Sequence, residues 1–258
     1  MSNKAKELLL SSTLVQSSML RTRYLSRQRP APSVFSLPGL SSPSPNWTPY
    51  YAKHHEGLIQ KLEDSFGEIL QEYRSFEGGG SSQSQGSGSD YTDDHKNLLH
   101  TGSWDWRSYV LKGKRQESFA KKCPKTVDVL ESLSMPFNSN VKGLMTGTPL
   151  SYAFFSTMGA GAVIEPHFGP TNLRIRCHFP LIVPPGDLGM KVGGEVIHWE
   201  VGKPLLFDDA YEHQVWNHSD GDRVILLFDL WHPELQEDEI VAIKAMFSFA
   251  ETQGWSSK

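Results

Sequence analysis

The chain has 258 residues and a net charge of −4, so it can bury one sizeable core and carries no cationic excess to draw it to nucleic acid or anionic membrane. Hydrophobic residues make up 38% and charged residues 21%, the balance of an ordinary globular domain. No apolar run approaches the ~18 residues of a membrane span. Two cysteines, Cys123 and Cys177, with no CxxC pair and no zinc spacing, do not form a disulfide framework.

Residues 1–45 differ in kind from the rest. They hold Lys4, Lys6, Arg21, Arg23, Arg27 and Arg29 against a single acid, Glu7, with many serines. This is the composition of either an organelle transit peptide or a disordered basic tail, and it predicts a segment outside the fold. The compartment is accordingly cytoplasmic or organellar. The folded domain is expected over 46–258. Leu58, Leu62, Phe66, Ile69, Leu70 and Tyr73 recur at three- and four-residue steps and predict a helix. Residues 78–90 are almost wholly Gly, Ser and Gln, the composition of a flexible loop. Trp104-Asp105-Trp106 leads into a strand at Tyr109-Val110-Leu111, and Pro124 opens a helix running to Leu133.

After Val141 the pattern changes to short strands parted by turn residues. They are expected around Tyr152–Thr157, Ala162–Pro166, Leu173–Val183, Met190–Val192, Glu195–Glu200, Pro204–Asp208, His213–Asn217 and Arg223–Leu230. So many short β segments predict a mainly β, antiparallel jelly roll of the cupin kind with flanking helices. Ile240, Ile243, Met246 and Phe247 mark a closing helix between Leu235 and Thr252.

Of ten histidines, His167 and His213 stand out, the first closing a strand and the second opening another 46 residues later. Two such histidines can converge on one metal, or can simply be hydrogen-bonded strand residues. Imidazole suits iron, zinc and copper alike, so spacing does not name the ion. Arg223 begins an otherwise apolar strand ten residues after His213. Its guanidinium either reaches solvent or sits in a lined cavity and pairs with a carboxylate. In Leu173-Arg174-Ile175-Arg176-Cys177-His178, period-two alternation puts Arg174, Arg176 and His178 on one face. Three basic groups there are costly to bury unless anions meet them, so this face is either solvated or an anion-binding wall.

At these residues the sequence resembles a known family. Glu165-Pro166-His167-Phe168-Gly169-Pro170-Thr171-Asn172-Leu173-Arg174-Ile175-Arg176-Cys177-His178 is similar to the core motif of the aspartyl/asparaginyl β-hydroxylases. So are Leu206-Phe207-Asp208-Asp209-Ala210-Tyr211-Glu212-His213-Gln214-Val215-Trp216 and the strand from Arg223 to Pro233. The likeness runs from about Phe35 to Pro233, and the short format resembles the hydroxylase-domain-containing members. It implies a double-stranded β-helix and an iron(II)- and 2-oxoglutarate-dependent dioxygenase that uses O2 to hydroxylate Asp or Asn side chains. By this resemblance His167 and His213 ligate iron, and Arg223 and Ser156 help hold 2-oxoglutarate, with Arg223 on its distal carboxylate. Arg176 and His178 contact the same co-substrate, Trp106 helps line the pocket, and Arg174 meets a substrate carboxylate.

Most oxygenases of this class add a carboxylate ligand to the two histidines, usually two residues after the first. That place is Gly169 here, a glycine the resembled family shares, so water is the expected occupant of the vacant position. Asp208 and Asp209 are expected to be turn residues beside the metal and not ligands. The implied substrate is a protein or peptide with Asp or Asn, or a small anionic molecule. Two alternatives share the fold: a halogenase or small-molecule hydroxylase, for which Gly169 leaves room for a halide, and a cupin-like binding protein without catalysis.

Overall fold

The computed structural model describes residues 30–78 and 100–254. In chain order it contains α1 (Thr48–His54), α2 (Glu56–Asp64), α3 (Phe66–Gly78), β1 (His100–Thr101), β2 (Trp104–Leu111), β3 (Lys114–Arg115), α4 (Glu117–Lys122) and α5 (Pro124–Ser132). There follow β4 (Ser134–Met135), β5 (Asn138–Lys142), β6 (Ala153–Met158), β7 (Val163–His167), β8 (Arg174–Ile182), β9 (Leu188–Val192) and β10 (Glu195–Ile197). The chain closes with β11 (Leu205–Phe207), β12 (His213–Asn217), β13 (Arg223–Trp231) and α6 (Glu237–Thr252). Residues 1–29 and 79–90, where a basic tail and most of a flexible loop were expected, lie outside the described residues.

All named strands pair antiparallel, in a five-stranded sheet of order β1-β7-β12-β9-β10 and a six-stranded sheet of order β11-β8-β13-β6-β2-β3, with β4 and β5 as a separate hairpin. This is the expected jelly roll with flanking helices. Its larger sheet explains why β13 is apolar almost throughout and why β8 is apolar on one face. Ile175, Cys177, Phe179 and Leu181 of β8, with Val224, Leu226, Phe228 and Leu230 of β13, share one cluster with Leu58, Leu62, Ile69, Tyr73 and Leu130 of the helices. The alternate residues of both strands face the other way, toward the smaller sheet. Covered on both faces, β13 shows no polar side in its sequence, whereas β8 turns Arg174, Arg176 and His178 toward the interior.

The single helix expected over Leu58–Tyr73 is two, parted at Ser65, yet Leu58, Leu62, Ile69 and Tyr73 still pack into one cluster. Helix α1, whose second position is Pro49, was not anticipated, nor were α4 and the β4–β5 hairpin. At the other end Gln236 and Glu239 form a reciprocal capping box that starts α6. Its Ile240 and Ile243 pack with Phe35, Met135 and Trp231.

Phe35 corrects the boundary placed at residue 45. It is 3% exposed, and Trp47, which follows the same lead-in, is 2% exposed. Burying each ring is worth about 1.5–3 kcal/mol. The backbone between them bonds to the loops after β7 and β11. Residues 30–47 are therefore an extended strap on the β-core, and their proline content reflects the extended path, not separation from the fold. Cys123 and Cys177 are both buried free thiols.

Candidate active site

Strand β12 lies between β7 and β9, and the antiparallel register sets His213 opposite His167. Their rings are 4.1 Å apart between centroids, tilted by 53°. The Nδ1 atom of His167 lies 2.7 Å from the Glu165 carbonyl oxygen, and that of His213 3.0 Å from the Tyr211 carbonyl oxygen. A carbonyl only accepts, so each Nδ1 carries the proton and donates. Both Nε2 atoms then keep a lone pair, the state a metal ligand needs, with ring orientation fixed by the second nitrogen. Burial favours the neutral ring as well. It lowers the pKa of His167, and with His167 alongside it pushes His213 down to about 3.

The loop after β7 meets the loop before β12. Gly169 N–H donates to the Asp209 carbonyl at 2.6 Å. A Cβ at Gly169 would lie 2.5 Å from Asp209 Cγ and 2.7 Å from its carbonyl oxygen. The side-chain space at 169 is thus already taken by Asp209. Among the described residues no third His, Cys, Asp or Glu joins the pair in a three-ligand group.

Behind the histidines two arginines and two aspartates neutralise one another. Asp209 accepts from Arg174 Nε at 3.2 Å and Nη2 at 2.5 Å, and lies 3.2 Å from Arg176 Nη1. Asp229 accepts from Arg174 Nη1 at 2.9 Å, from Arg176 Nε at 2.8 Å and Nη2 at 3.2 Å, and from the Tyr152 N–H at 2.9 Å. The Leu150 carbonyl takes Arg174 Nη1 as well. Burial works against both charges, but Asp229 and Asp209 hold Arg176 above the ordinary arginine value. Arg174 and Arg176 in turn hold Asp209 well below the usual carboxylate range. The anions that make the basic face of β8 tolerable are these two aspartates.

Arg223 is the exception. It is 1% exposed, and its Nε and Nη1 have no hydrogen-bond partner. Nη2 lies 3.1 Å from Met158 Sδ, a weak acceptor, and the guanidinium lies over the Trp199 ring at 4.9 Å. Burial pushes its pKa down to about 9, so it remains charged at neutral pH. A buried cation with two idle donors is costly unless an anion completes it. The same pocket is lined by His167, His213, Arg176, His178 and Ser156. Ser156 accepts from Trp104 Nε1 at 2.9 Å, and His178 Nδ1 accepts from Trp199 Nε1 at 3.3 Å. Burial, and then the charge of Arg223, keep His178 neutral.

The family model described as aspartyl/asparaginyl β-hydroxylase matches residues 63–233. The chain belongs to this family. It is 35% identical over 232 residues to aspartate β-hydroxylase domain-containing protein 2 of Xenopus tropicalis, covering 88% of this chain and 58% of that one. To the human aspartyl/asparaginyl β-hydroxylase it is 31% identical over 214 residues, 83% of this chain and 26% of the other. An ornithine lipid ester-linked acyl 2-hydroxylase of Rhizobium tropici is 39% identical over 132 residues, 50% and 42% of the two chains. The chain thus spans about three-fifths of the first of these relatives and a quarter of the second. Among the described residues no helix is long and apolar enough to cross a membrane.

Two residues assigned from the family resemblance stand elsewhere. Arg174 is 1% exposed and is held by Asp209, Asp229 and the Leu150 carbonyl, so its guanidinium serves the buried ion pairs and is not presented to a substrate carboxylate. Trp106 does not line the pocket: it stacks on Phe154 at 4.1 Å and meets Trp104 edge-on at 5.0 Å, and Trp104 forms the wall. The roles of Asp229 and Trp199 were missed. Asp229 left a signal, as the one acid in the strand Arg223-Val224-Ile225-Leu226-Leu227-Phe228-Asp229-Leu230-Trp231. Trp199 left none, because a lone tryptophan after a short edge strand has many uses.

Proposed function

We propose that this hydroxylase-family chain is an iron(II)- and 2-oxoglutarate-dependent dioxygenase acting on an Asp or Asn side chain of a peptide, or on a related anionic substrate. The observation that carries this is one pocket lined by two neutral histidines and by the cation Arg223, whose Nε and Nη1 have no hydrogen-bond partner. The donor set fits the group: two Nε2 lone pairs for iron and a guanidinium fork for a carboxylate. Bound together, iron(II) and 2-oxoglutarate supply the oxidant that puts oxygen from O2 into a C–H bond while 2-oxoglutarate loses CO2 and becomes succinate.

The protein's part is binding, orientation and exclusion of water. His167 and His213 would hold the metal, their rings kept from rotating by the Nδ1–H bonds to Glu165 and Tyr211. Arg223 would take the distal carboxylate in a bidentate pair, aided by the Ser156 hydroxyl, whose proton is available because Ser156 accepts from Trp104. Arg176 and His178 line the same cavity and would meet the co-substrate between these ends. Ile225, Leu227 and Phe207 make the remaining walls apolar, which strengthens these charge contacts and keeps water out.

Succinate formation from 2-oxoglutarate, iron(II), ascorbate and oxygen tests the reading. A panel of Asp- and Asn-containing peptides should be run beside ornithine lipid, because the Rhizobium relative bears the name of an acyl hydroxylase. Iron-dependent succinate, stimulated by a peptide and falling at least about 100-fold in His213→Ala, is the expected result. Stimulation by the lipid alone would move the substrate to small molecules. No succinate with any of them would favour a cupin-like binding protein without catalysis.

A further inference from the structure

The strap of residues 30–47 reaches both loops that flank the histidines, the one after β7 and the one before β12. Ala31 N–H donates to the Ala210 carbonyl at 2.7 Å, in the loop before His213. Ser33 N–H donates to the Gly169 carbonyl at 3.0 Å, and Val34 and Phe35 to Pro170 at 3.0 and 2.8 Å, in the loop after His167. Leu37 and Asn172 exchange two bonds, of 2.8 and 2.9 Å. Further along, Ser42 Oγ donates to Asp208 Oδ2 at 2.5 Å, and Tyr211 Oη donates to the Ser42 carbonyl at 3.1 Å. Asp208 N–H donates to the Pro45 carbonyl at 3.0 Å, and Asp208 Oδ1 accepts from Ala210 N–H at 2.9 Å. The two loops are tied to each other only two residues past His167, by Gly169 to Asp209.

We infer that the strap is a clamp on the two-histidine site, and that Ser42, acting through Asp208, is a positioning residue for His213 and the Asp209 turn. A two-histidine site lacks a third protein ligand to hold its geometry, so spacing between the loops must come from outside the metal shell. The strap is placed to supply it: one extended segment bonds to the loop following one ligand and to the loop preceding the other. It lies before residue 63, outside the span matched by the family model. Asp208 is buried, and without the Ser42 hydroxyl its Oδ2 loses its donor inside the protein. The turn 208–211 then relaxes, and with it the His213 ring whose Nδ1–H is held by Tyr211.

This inference rests on the proposed metal site, so its test has one arm that needs no metal. In the metal-free full chain, amide hydrogen exchange at Gly169 and Ala210 is compared between wild type and Ser42→Ala. In parallel, Mn(II) is titrated into both, and into Ser42→Thr, which restores the hydroxyl. The expected result for Ser42→Ala is exchange about tenfold faster at both amides and a Mn(II) Kd about tenfold weaker, with the melting temperature kept within a few degrees and Ser42→Thr returning toward wild type. Unchanged exchange, or faster exchange with an unchanged Mn(II) Kd, overturns the clamp while leaving the metal site standing. A wild-type chain that binds no Mn(II) overturns the proposed site, and the clamp with it.

Discussion

Asp229→Ala lowers stability by about 3–5 kcal/mol. Asp229 is fully buried and accepts from Arg174, Arg176 and the Tyr152 N–H. With Asp209 it balances two buried guanidinium groups charge for charge. Deleting it leaves two cations facing one carboxylate, Arg174 wholly buried and Arg176 mostly so, and an excess buried charge is what makes a broken ion pair so costly. For a domain of this size the loss corresponds to a melting temperature lower by roughly 6–20 °C. Asp229→Asn keeps the shape but not the charge, and should recover only part of it. A melting temperature within about 2 °C of wild type for Asp229→Ala would show that the quartet is not a stabilising unit.

Gly169→Asp does not rebuild a three-ligand metal site. The substitution places the carboxylate found in most relatives of this chemistry at its usual offset from the first histidine. Here the new Cβ would lie 2.5 Å from Asp209 Cγ and 2.7 Å from the Asp209 carbonyl. The backbone oxygen cannot step aside cheaply, and displacing Asp209 breaks its bonds to Arg174 and Arg176. Gly169→Ala should already cost about 1–3 kcal/mol through overpacking. Gly169→Asp should cost more and bind Mn(II) at least about tenfold more weakly than wild type, because the loops that space the histidines are forced apart. Tighter metal binding by Gly169→Asp would contradict the assignment of that space to Asp209.

The site was legible where its geometry follows from strand periodicity. Alternation placed Arg176 and His178 on one face of β8, and His167 and His213 at strand ends that the register brings together. The eight strands from Tyr152 onward were found because each is short, alternating or apolar, and bounded by Gly, Pro or Asp turns. Arg174 was misplaced because its partners lie 35 and 55 residues away, at Asp209 and Asp229, and nothing local distinguishes a paired arginine from a ligand-binding one. Trp104 and Trp106 share one face of β2, so periodicity cannot say which reaches the pocket and which packs on Phe154. The strap reads as part of a tail because its prolines and serines describe a linker equally well and because it directly follows the basic segment. Phe35 and Trp47 were the counter-signal, two large apolar side chains that an unattached segment has no reason to carry.

Calorimetric titration of 2-oxoglutarate into the protein, with and without Mn(II), tests most directly whether His167, His213 and Arg223 form a single site. Binding should require the metal, and should be lost in His213→Ala. It should weaken at least about tenfold in Arg223→Leu, which removes the only charge the pocket offers to the distal carboxylate without a protein partner among the described residues. Arg223 has its pKa pushed down to about 9, so the cation is present below that pH and lost above it, and affinity should fall as pH rises past about 9. Equal affinity with and without metal, or in His213→Ala and wild type, would contradict the account.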